Sequence, residues 1–251
     1  MNADALTEGR LSELCKKSFE CDIFTFTDFL SLSEQSMLKS VMKGYPKGHL
    51  TLFGGAEGCE RVMARFGDPQ TLGWEEIFPI VALRISPKSQ KFAETLTHRD
   101  FLGALMSLGL RREMLGDIVI FENEGYLFAE EKMAEHITSS LTEVRRTAVK
   151  VAVVDSIPEG ELFRTQSMTV QVQSERLDAV IAKVFQLSRE EAQSLFPKEL
   201  VFANGVLIES TSYTPKAGDK ISVRGKGRFI YDGAASLSKK GKINLKIEKY
   251  V

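Results

Sequence analysis

The strongest constraint on the fold comes from residues 174–230, where two short helical patterns precede a glycine-marked hairpin. Apolar residues recur at helical spacing over residues 177–184, which predicts one amphipathic helix. A second helix is predicted from Ser188, because residues 188–191 (SREE) form a capping box and Pro197 marks a stop. An Asn-Gly pair at 204–205 lies between two apolar runs and predicts a β-hairpin with a two-residue turn.

This stretch is also rich in cations, and it leaves the predicted final strand through three basic residues separated by glycines. Cationic side chains that neutralise phosphates supply most of the sequence-independent affinity of a protein for nucleic acid. The hypothesis requires that these side chains gather on one face without being neutralised by neighbouring acids. The candidate RNA-binding residues are Arg176, Arg189, Lys198, Asn204, Arg224, Lys226 and Arg228.

The order of residues in this stretch resembles the S-four RNA-binding domain, a module named after a protein of the small ribosomal subunit. The match departs from the module at residues 197–199, where a small-residue turn ending in glycine is common. The alternative is an ordinary small α+β domain whose basic residues are solvated surface. The resemblance rests on Arg176-Leu177-Asp178, Ser188-Arg189, Ala192, Val201, Asn204-Gly205, Gly218-Asp219 and residues 221–225.

Charge is divided unevenly along the 251 residues, although the net charge is only -1. Residues 1–160 hold 18 basic and 24 acidic side chains, whereas residues 161–251 hold 15 basic and 10 acidic ones. This asymmetry predicts that the C-terminal part meets a polyanion. A lysine-rich run at 239–242 extends the basic stripe, and a strand pattern after it is predicted to join the last sheet.

Cysteine usage and hydropathy favour a soluble cytoplasmic protein that does not insert into membranes. The three cysteines show no metal-ligand spacing, and no apolar run approaches the length of a membrane span. No basic-then-apolar leader precedes a cleavage site. We therefore predict neither a metal nor a cofactor.

Residues 76–157 follow the order strand-helix-strand-strand-helix-strand, which is the split βαβ arrangement. RNA-recognition motifs share this topology and stack bases on aromatic residues of one strand. Tyr126 and Phe128 lie two residues apart and therefore share a face, which is either a base-stacking face or a buried one. Thr97 and Asp100 predict a capping box at the start of the first helix.

Residues 1–75 are predicted to be mostly helical with one strand. A glycine cluster at 54–58 directly follows that strand. That cluster lacks the Gly-Lys-Ser/Thr ending of a nucleotide-binding loop, so a turn without a ligand is the favoured interpretation. A helix predicted through Phe66 would place Arg61 and Arg65 on one face, either as secondary RNA contacts or as a solvated surface. His98 and Arg99 are further secondary candidates.

Residues 97–106 (THRDFLGALM), together with Gly116-Asp117-Ile118 and the S-four pattern, resemble the YlmH family of bacterial RNA-binding proteins. The resemblance implies an RRM-like central domain and binding to RNA or the ribosome. Family members are linked to quality control of stalled large subunits that carry a peptidyl-tRNA, and to a cell-division gene neighbourhood. The implied partners are rRNA, tRNA, the large ribosomal subunit and cell-division proteins.

The resulting expectation is a multi-domain α+β chain without enzymatic activity. Its domains are a mostly helical α+β domain at 1–75, an RRM-like domain at 76–157, an S-four domain at 165–231 and a basic tail or strand at 232–251, with a short boundary at 158–160. The alternatives are a cell-division adaptor and an RNA-modifying enzyme. Pseudouridine synthases carry Arg-Leu-Asp at their catalytic aspartate, but residues 179–182 lack that enzyme's Thr-Ser-Gly continuation.

Overall fold

The computed structural model describes residues 3–155, 157, 165–238 and 241–250. The chain divides into two compact units, Met1–Leu162 and Phe163–Val251. The predicted boundary at residues 158–160 lies outside the described residues. Helices and strands both contribute to each unit, which confirms the α+β class.

The N-terminal part of the first unit packs helices on a small antiparallel sheet of order β1-β3-β2. Leu11, Leu38 and Phe66 lie in the core between them. Ser31 caps the second helix through a capping box with Glu34. The elements are α1 (Ala3–Cys21), β1 (Thr25–Phe26), α2 (Leu32–Val41), β2 (Leu50–Phe53), β3 (Met63–Phe66) and α3 (Pro69–Leu72).

The helix predicted to end at Phe66 is wrong, because residues 63–66 form the central strand of this sheet. All four side chains of β3 are buried, so both of its faces are covered. A strand covered on both faces loses the alternation that identifies strands in a sequence. Arg61 and Arg65 therefore do not share a helical face.

The central part of the first unit has the predicted split βαβ order, and its sheet runs β5-β6-β4-β8-β7 with antiparallel pairs. Helices α4 and α5 cover one face through Phe101, Leu105 and Ile137. The capping box of Thr97 and Asp100 is present. The elements are β4 (Ile80–Pro87), α4 (His98–Ser107), β5 (Leu115–Phe121), β6 (Glu124–Glu130), α5 (Ala134–Ser140), β7 (Glu143–Val144) and β8 (Thr147–Val154).

The other face of this sheet is covered at Phe128 by the N-terminal part of the same unit. Phe128 packs with Phe29 and Met63 and is 2% exposed, and Tyr126 is also buried. Gly55 approaches so closely that a Cβ there would lie 2.1 Å from the Phe128 ring. Of the two interpretations of these aromatic residues, the buried one is therefore correct.

The second unit is a sheet of order β11-β10-β12-β13-β14-β9 with two helices packed on one face. The predicted hairpin at Asn204-Gly205 joins β10 to β11, and both turn residues have positive φ, at 49° and 77°. The elements are β9 (Thr165–Val172), α6 (Leu177–Val184), α7 (Arg189–Ser194), β10 (Val201–Ala203), β11 (Val206–Leu207), β12 (Asp219–Val223), β13 (Gly227–Leu237) and β14 (Ile243–Tyr250).

The C-terminal strand predicted from the sequence is β14, and it lies between β13 and β9 rather than at the edge of the sheet. Leu245 and Ile247 of β14 are fully buried in the core of this unit. The last strand therefore belongs to the packed interior. Lys239 and Lys240 lie outside the described residues.

Candidate nucleic-acid interface

The two helices of the second unit are held by a shared apolar core and by local capping. Leu177, Val180, Ile181 and Val184 of α6 are buried against the sheet. Ser188 Oγ accepts a hydrogen bond from the Glu191 amide at 3.1 Å, and Glu191 Oε2 accepts one from the Ser188 amide at 2.8 Å. The capping box predicted from the sequence therefore fixes the start of α7.

Asp178 organises the polar groups between α6 and α7. The Asp178 side chain is fully buried, and both Arg176 and Arg189 donate two hydrogen bonds to its carboxylate, at 3.1–3.3 Å. Gln193 Nε2 adds a hydrogen bond of 2.8 Å. Arg176 Nη2 also donates to Thr211 Oγ1 at 3.3 Å. One carboxylate thus orients two guanidinium groups from different elements, and we call Arg176 and Arg189 the arginine pair.

The electrostatics of this cluster favour a charged Asp178. Burial by itself would raise the pKa of Asp178, but hydrogen bonds from Arg176, Gln193 and Arg189 outweigh burial and lower the pKa. Two guanidinium groups facing one carboxylate leave a net positive charge. The side chains of Arg176 and Arg189 stay 40% and 49% exposed, so this charge remains accessible from solvent.

The cations of the β12–β13 turn lie elsewhere on the unit. Arg224 lies over the Phe202 ring at 5.0 Å, and Arg228 lies over the Tyr250 ring at 4.6 Å. Strand alternation places Arg228 on the face opposite Phe229, which packs under the helices. The single patch that the sequence hypothesis requires is therefore wrong, since the cations divide between the helix side and the outer face of the sheet.

Lys226 is exposed in the turn between β12 and β13. Hydrogen bonds from Ser188 lower the pKa of Glu191, and the charge of Lys226 adds to this effect. Lys198 is exposed beyond the end of α7. We call Arg224, Lys226 and Arg228 the hairpin cations.

Asn204 has a structural role that accounts for its presence. Its amide nitrogen donates to Asp219 Oδ1 at 2.8 Å, and its amide oxygen accepts from the Lys220 backbone at 2.9 Å. These bonds connect the β10–β11 turn to β12. They also occupy both ends of the Asn204 amide.

Arg61 and Arg65 hold the first unit together. Arg61 donates to the backbone oxygens of Phe29 at 2.6 Å and Leu115 at 3.0 Å, and so links the N-terminal and central parts. Arg65 is 3% exposed, pairs with Glu75 at 2.8 Å and lies between the Phe24 and Phe78 rings. The guanidinium groups of Arg61 and Arg65 are engaged inside the first unit, and these positions do not support the secondary RNA contacts predicted for them.

His98 and Arg99 are exposed at the start of α4. Desolvation and the nearby Arg112 guanidinium lower the pKa of His98, while Asp117 opposes that shift. Burial and the neighbouring Arg61 also lower the pKa of Arg112, to about 10. Desolvation and the charge of Arg112 both disfavour the protonated form of His98.

A groove beside α6 contains residues that were not selected from the sequence. It has a volume of about 280 Å³ and is lined by Ala179, Ala182, Lys183, Leu187 and Arg189, with Gln171, Val172, Gln173 and Lys242. The helical spacing of Ala179, Ala182 and Lys183 could have indicated a common face. Gln193 could likewise have been selected, because it lies one turn after Arg189 on α7.

Within the described residues, no three His, Cys, Asp or Glu side chains converge so as to hold a metal ion. Among helices in that same part of the chain, none is both long and apolar enough to cross a bilayer.

Known proteins are similar to parts of this chain or to most of it. The family model described as "Putative RNA-binding domain in YlmH" matches residues 75–157. The chain is 32% identical over 227 residues to the "Ribosome-associated protein quality control protein P2" of Bacillus subtilis (strain 168), covering 89% of this chain and 86% of that protein. The solved structure of "Cell division protein ylmH from Streptococcus pneumoniae" aligns with this chain at a TM-score of 0.47 and 20% sequence identity. The alignment covers 61% of this chain and 93% of that one.

The fold and the candidate site define a class, namely two-unit α+β proteins with a split βαβ sheet and a basic C-terminal unit. Within this class, the chain belongs to the YlmH family. The resemblance of the sequence to that family is thereby confirmed.

Proposed function

We propose that this protein is a non-enzymatic RNA-binding protein that contacts structured rRNA or tRNA on the ribosome and acts in ribosome-associated quality control. The observation that carries the proposal is the arginine pair, ordered on a buried Asp178 and still half exposed. The match of the central part to an RNA-binding family model and the name of the B. subtilis relative support it. We assign the second unit to the S-four module on its two helices, the capping box of the second helix and the hairpin.

The geometry of Asp178 favours this function over an RNA-modifying enzyme. A nucleophilic aspartate needs an approach path to its substrate, whereas the Asp178 side chain is fully buried and bonded to Arg176, Arg189 and Gln193. Asp178 therefore acts as a positioning residue for two cations. The large ribosomal subunit and cell-division proteins are proposed partners, and a pull-down that survives nuclease treatment would identify the latter.

Removing both charges of the arginine pair should weaken binding to rRNA or tRNA. We expect the double variant Arg176→Gln and Arg189→Gln to lower the affinity for RNA. The slope of log Kd against log salt should fall by about 1–2, because a protein with fewer phosphate contacts releases fewer counterions when it binds. Filter binding at several salt concentrations measures both. Glutamine can still donate to Asp178, and thermal melting checks that the variant is folded.

The matched control replaces Lys43 and Lys47, which are exposed in the first unit, with glutamine. This change removes the same charge and should leave affinity close to that of the wild type. Equal weakening by both double variants would reduce the effect to net charge and contradict the assignment. An unchanged affinity of the arginine variant at all salt concentrations would contradict it as well.

A further inference from the structure

The groove beside α6 exists because two alanines occupy the face of that helix next to β9. Ala179 and Ala182 lie three residues apart, so their short side chains share that face and leave an apolar floor with Leu187. β9 is the last strand in the order of the sheet, so one side of its backbone has no strand partner among the described residues. The groove thus combines an apolar floor with backbone hydrogen-bonding groups at one wall.

Asp178 holds Arg189 through one edge of the guanidinium group. The Nε and Nη2 atoms of Arg189 donate to Asp178 at 3.1 and 3.2 Å, which occupies one of the two bidentate edges of the guanidinium group and fixes the plane of the group. The side chain nevertheless remains 49% exposed. An arginine held in this way offers a planar surface on which a nucleobase can stack.

The charge at the rim and the size of the groove restrict the ligand. Lys183 and Lys242 line the same groove, and both are exposed cations able to meet a phosphate. A volume of about 280 Å³ lies near the lower end of small-ligand sites, which run from about 300 to 1,000 Å³. A duplex keeps its bases stacked inside and could not enter, whereas a nucleotide that is not base-paired could.

We propose that this groove binds one unpaired nucleotide of the RNA, with its base against Ala179 and Ala182 and stacked on Arg189, and its phosphate near Lys183 and Lys242. This inference rests on the proposed function and adds the chemical class that the site selects. The protein would then distinguish a bulged or looped RNA from a fully paired one.

The test compares two RNA hairpins that differ only in one bulged nucleotide. We expect the wild-type full chain to bind the bulged hairpin about five- to tenfold more tightly in fluorescence anisotropy, near the lower end of the effect expected when one base stacks on a side chain. Ala182→Leu fills the groove and should bring this ratio close to one while affinity for the paired hairpin is retained. The matched control is Ala235→Leu, which adds the same volume on an exposed part of β13 and should keep the preference.

A second variant guards against misfolding of Ala182→Leu, which melting would detect. Arg189→Lys keeps the charge but removes the flat surface, so the preference should fall while affinity for the paired hairpin changes less. If the wild type binds both hairpins equally, or if Ala182→Leu weakens both by the same factor, the groove does not select an unpaired nucleotide. In those outcomes the proposed function stands, because RNA is still bound; failure to bind either hairpin would instead overturn the proposed function.

Discussion

At the scale of single residues, the main feature of this protein is the buried Asp178 carboxylate, which orders the partly exposed side chains of Arg176 and Arg189. Asp178 lies in the first turn of α6, and the groups that bond to it come from before that helix and from α7. A buried carboxylate is costly unless its oxygens are paired, and here two guanidinium groups and an amide pair them. The rotamers of Arg176 and Arg189 are therefore fixed before any ligand arrives, which lowers the entropic cost of binding.

Removing the charge of Asp178 should destabilise the protein. We expect Asp178→Asn to lower the free energy of unfolding at pH 7 by about 1–3 kcal/mol, because the ion pairs with two arginines are lost. The loss stays in this range because the half-exposed arginines can regain hydration. The folded pKa of Asp178 lies below its unfolded value of about 3.9, so its stabilisation is complete above that value and is lost as pH falls through the folded pKa. Urea unfolding from pH 7 down to pH 3 measures the difference between the two proteins.

The difference in the free energy of unfolding between the wild type and Asp178→Asn should therefore become smaller as the pH falls. Asp232→Asn, at an exposed position of β13, serves as the control and should change stability little at any pH. A difference that grew as the pH fell would contradict the assigned direction of the pKa shift.

At the scale of elements, local chemistry made several segments predictable. The capping boxes at Thr97 and Ser188 are satisfied within four residues of chain, and so is the Asn204-Gly205 turn. Their signals therefore survive in the sequence. β3 could not be predicted in this way. Its four residues are all buried and pair with β1 and β2, so their sequence shows no strand alternation and was interpreted as a helix.

The contact of Gly55 with Phe128 is testable, because Gly44 offers a control with nearly the same backbone. Both glycines have positive φ, at 103° and 96°, but a Cβ at Gly44 would meet nothing within 4 Å. Alanine at either site is strained, and only at Gly55 does it also collide with the Phe128 ring. We expect Gly55→Ala to cost about 1–3 kcal/mol more than Gly44→Ala, the usual range for overpacking.

Urea denaturation of the two glycine variants provides this comparison. Equal losses would mean that only backbone strain matters and that the N-terminal part does not press on the central sheet. A larger loss for Gly55→Ala would support the packing that buries the face on which RNA-recognition motifs stack bases.

At the scale of the whole molecule, the acidic and basic halves of the chain indicate where a polyanion would meet it. The excess of basic over acidic residues after position 160 lies in the same unit as the arginine pair and the hairpin cations. Charge asymmetry raises the local concentration of a polyanion and speeds association without fixing the site.

Replacing Arg224, Lys226 and Arg228 with glutamine should weaken RNA binding uniformly across sequences. The slope of log Kd against log salt should fall by about 0.9 for each phosphate contact that is lost. Replacing Lys16, Lys43 and Lys47, all exposed in the first unit, makes the same change in net charge and should have little effect. Equal effects of the two triple variants, measured by filter binding, would exclude the hairpin cations from the interface.

The sequence by itself determined the features that depend on residues close together in the chain. These are the α+β class, the split βαβ order, both capping boxes, the hairpin turn and the uneven charge. They could be predicted because helical and strand periodicity, caps and turns act over a few residues.

Only the tertiary structure decided how those features combine. It paired Arg176 and Arg189 with Asp178, placed Arg228 on the opposite face of the sheet, buried Arg65 between two rings and covered Phe128. The physical reason is that burial and ion pairing depend on groups that are distant in sequence, and a basic residue looks the same in the sequence whether it faces solvent or a buried acid.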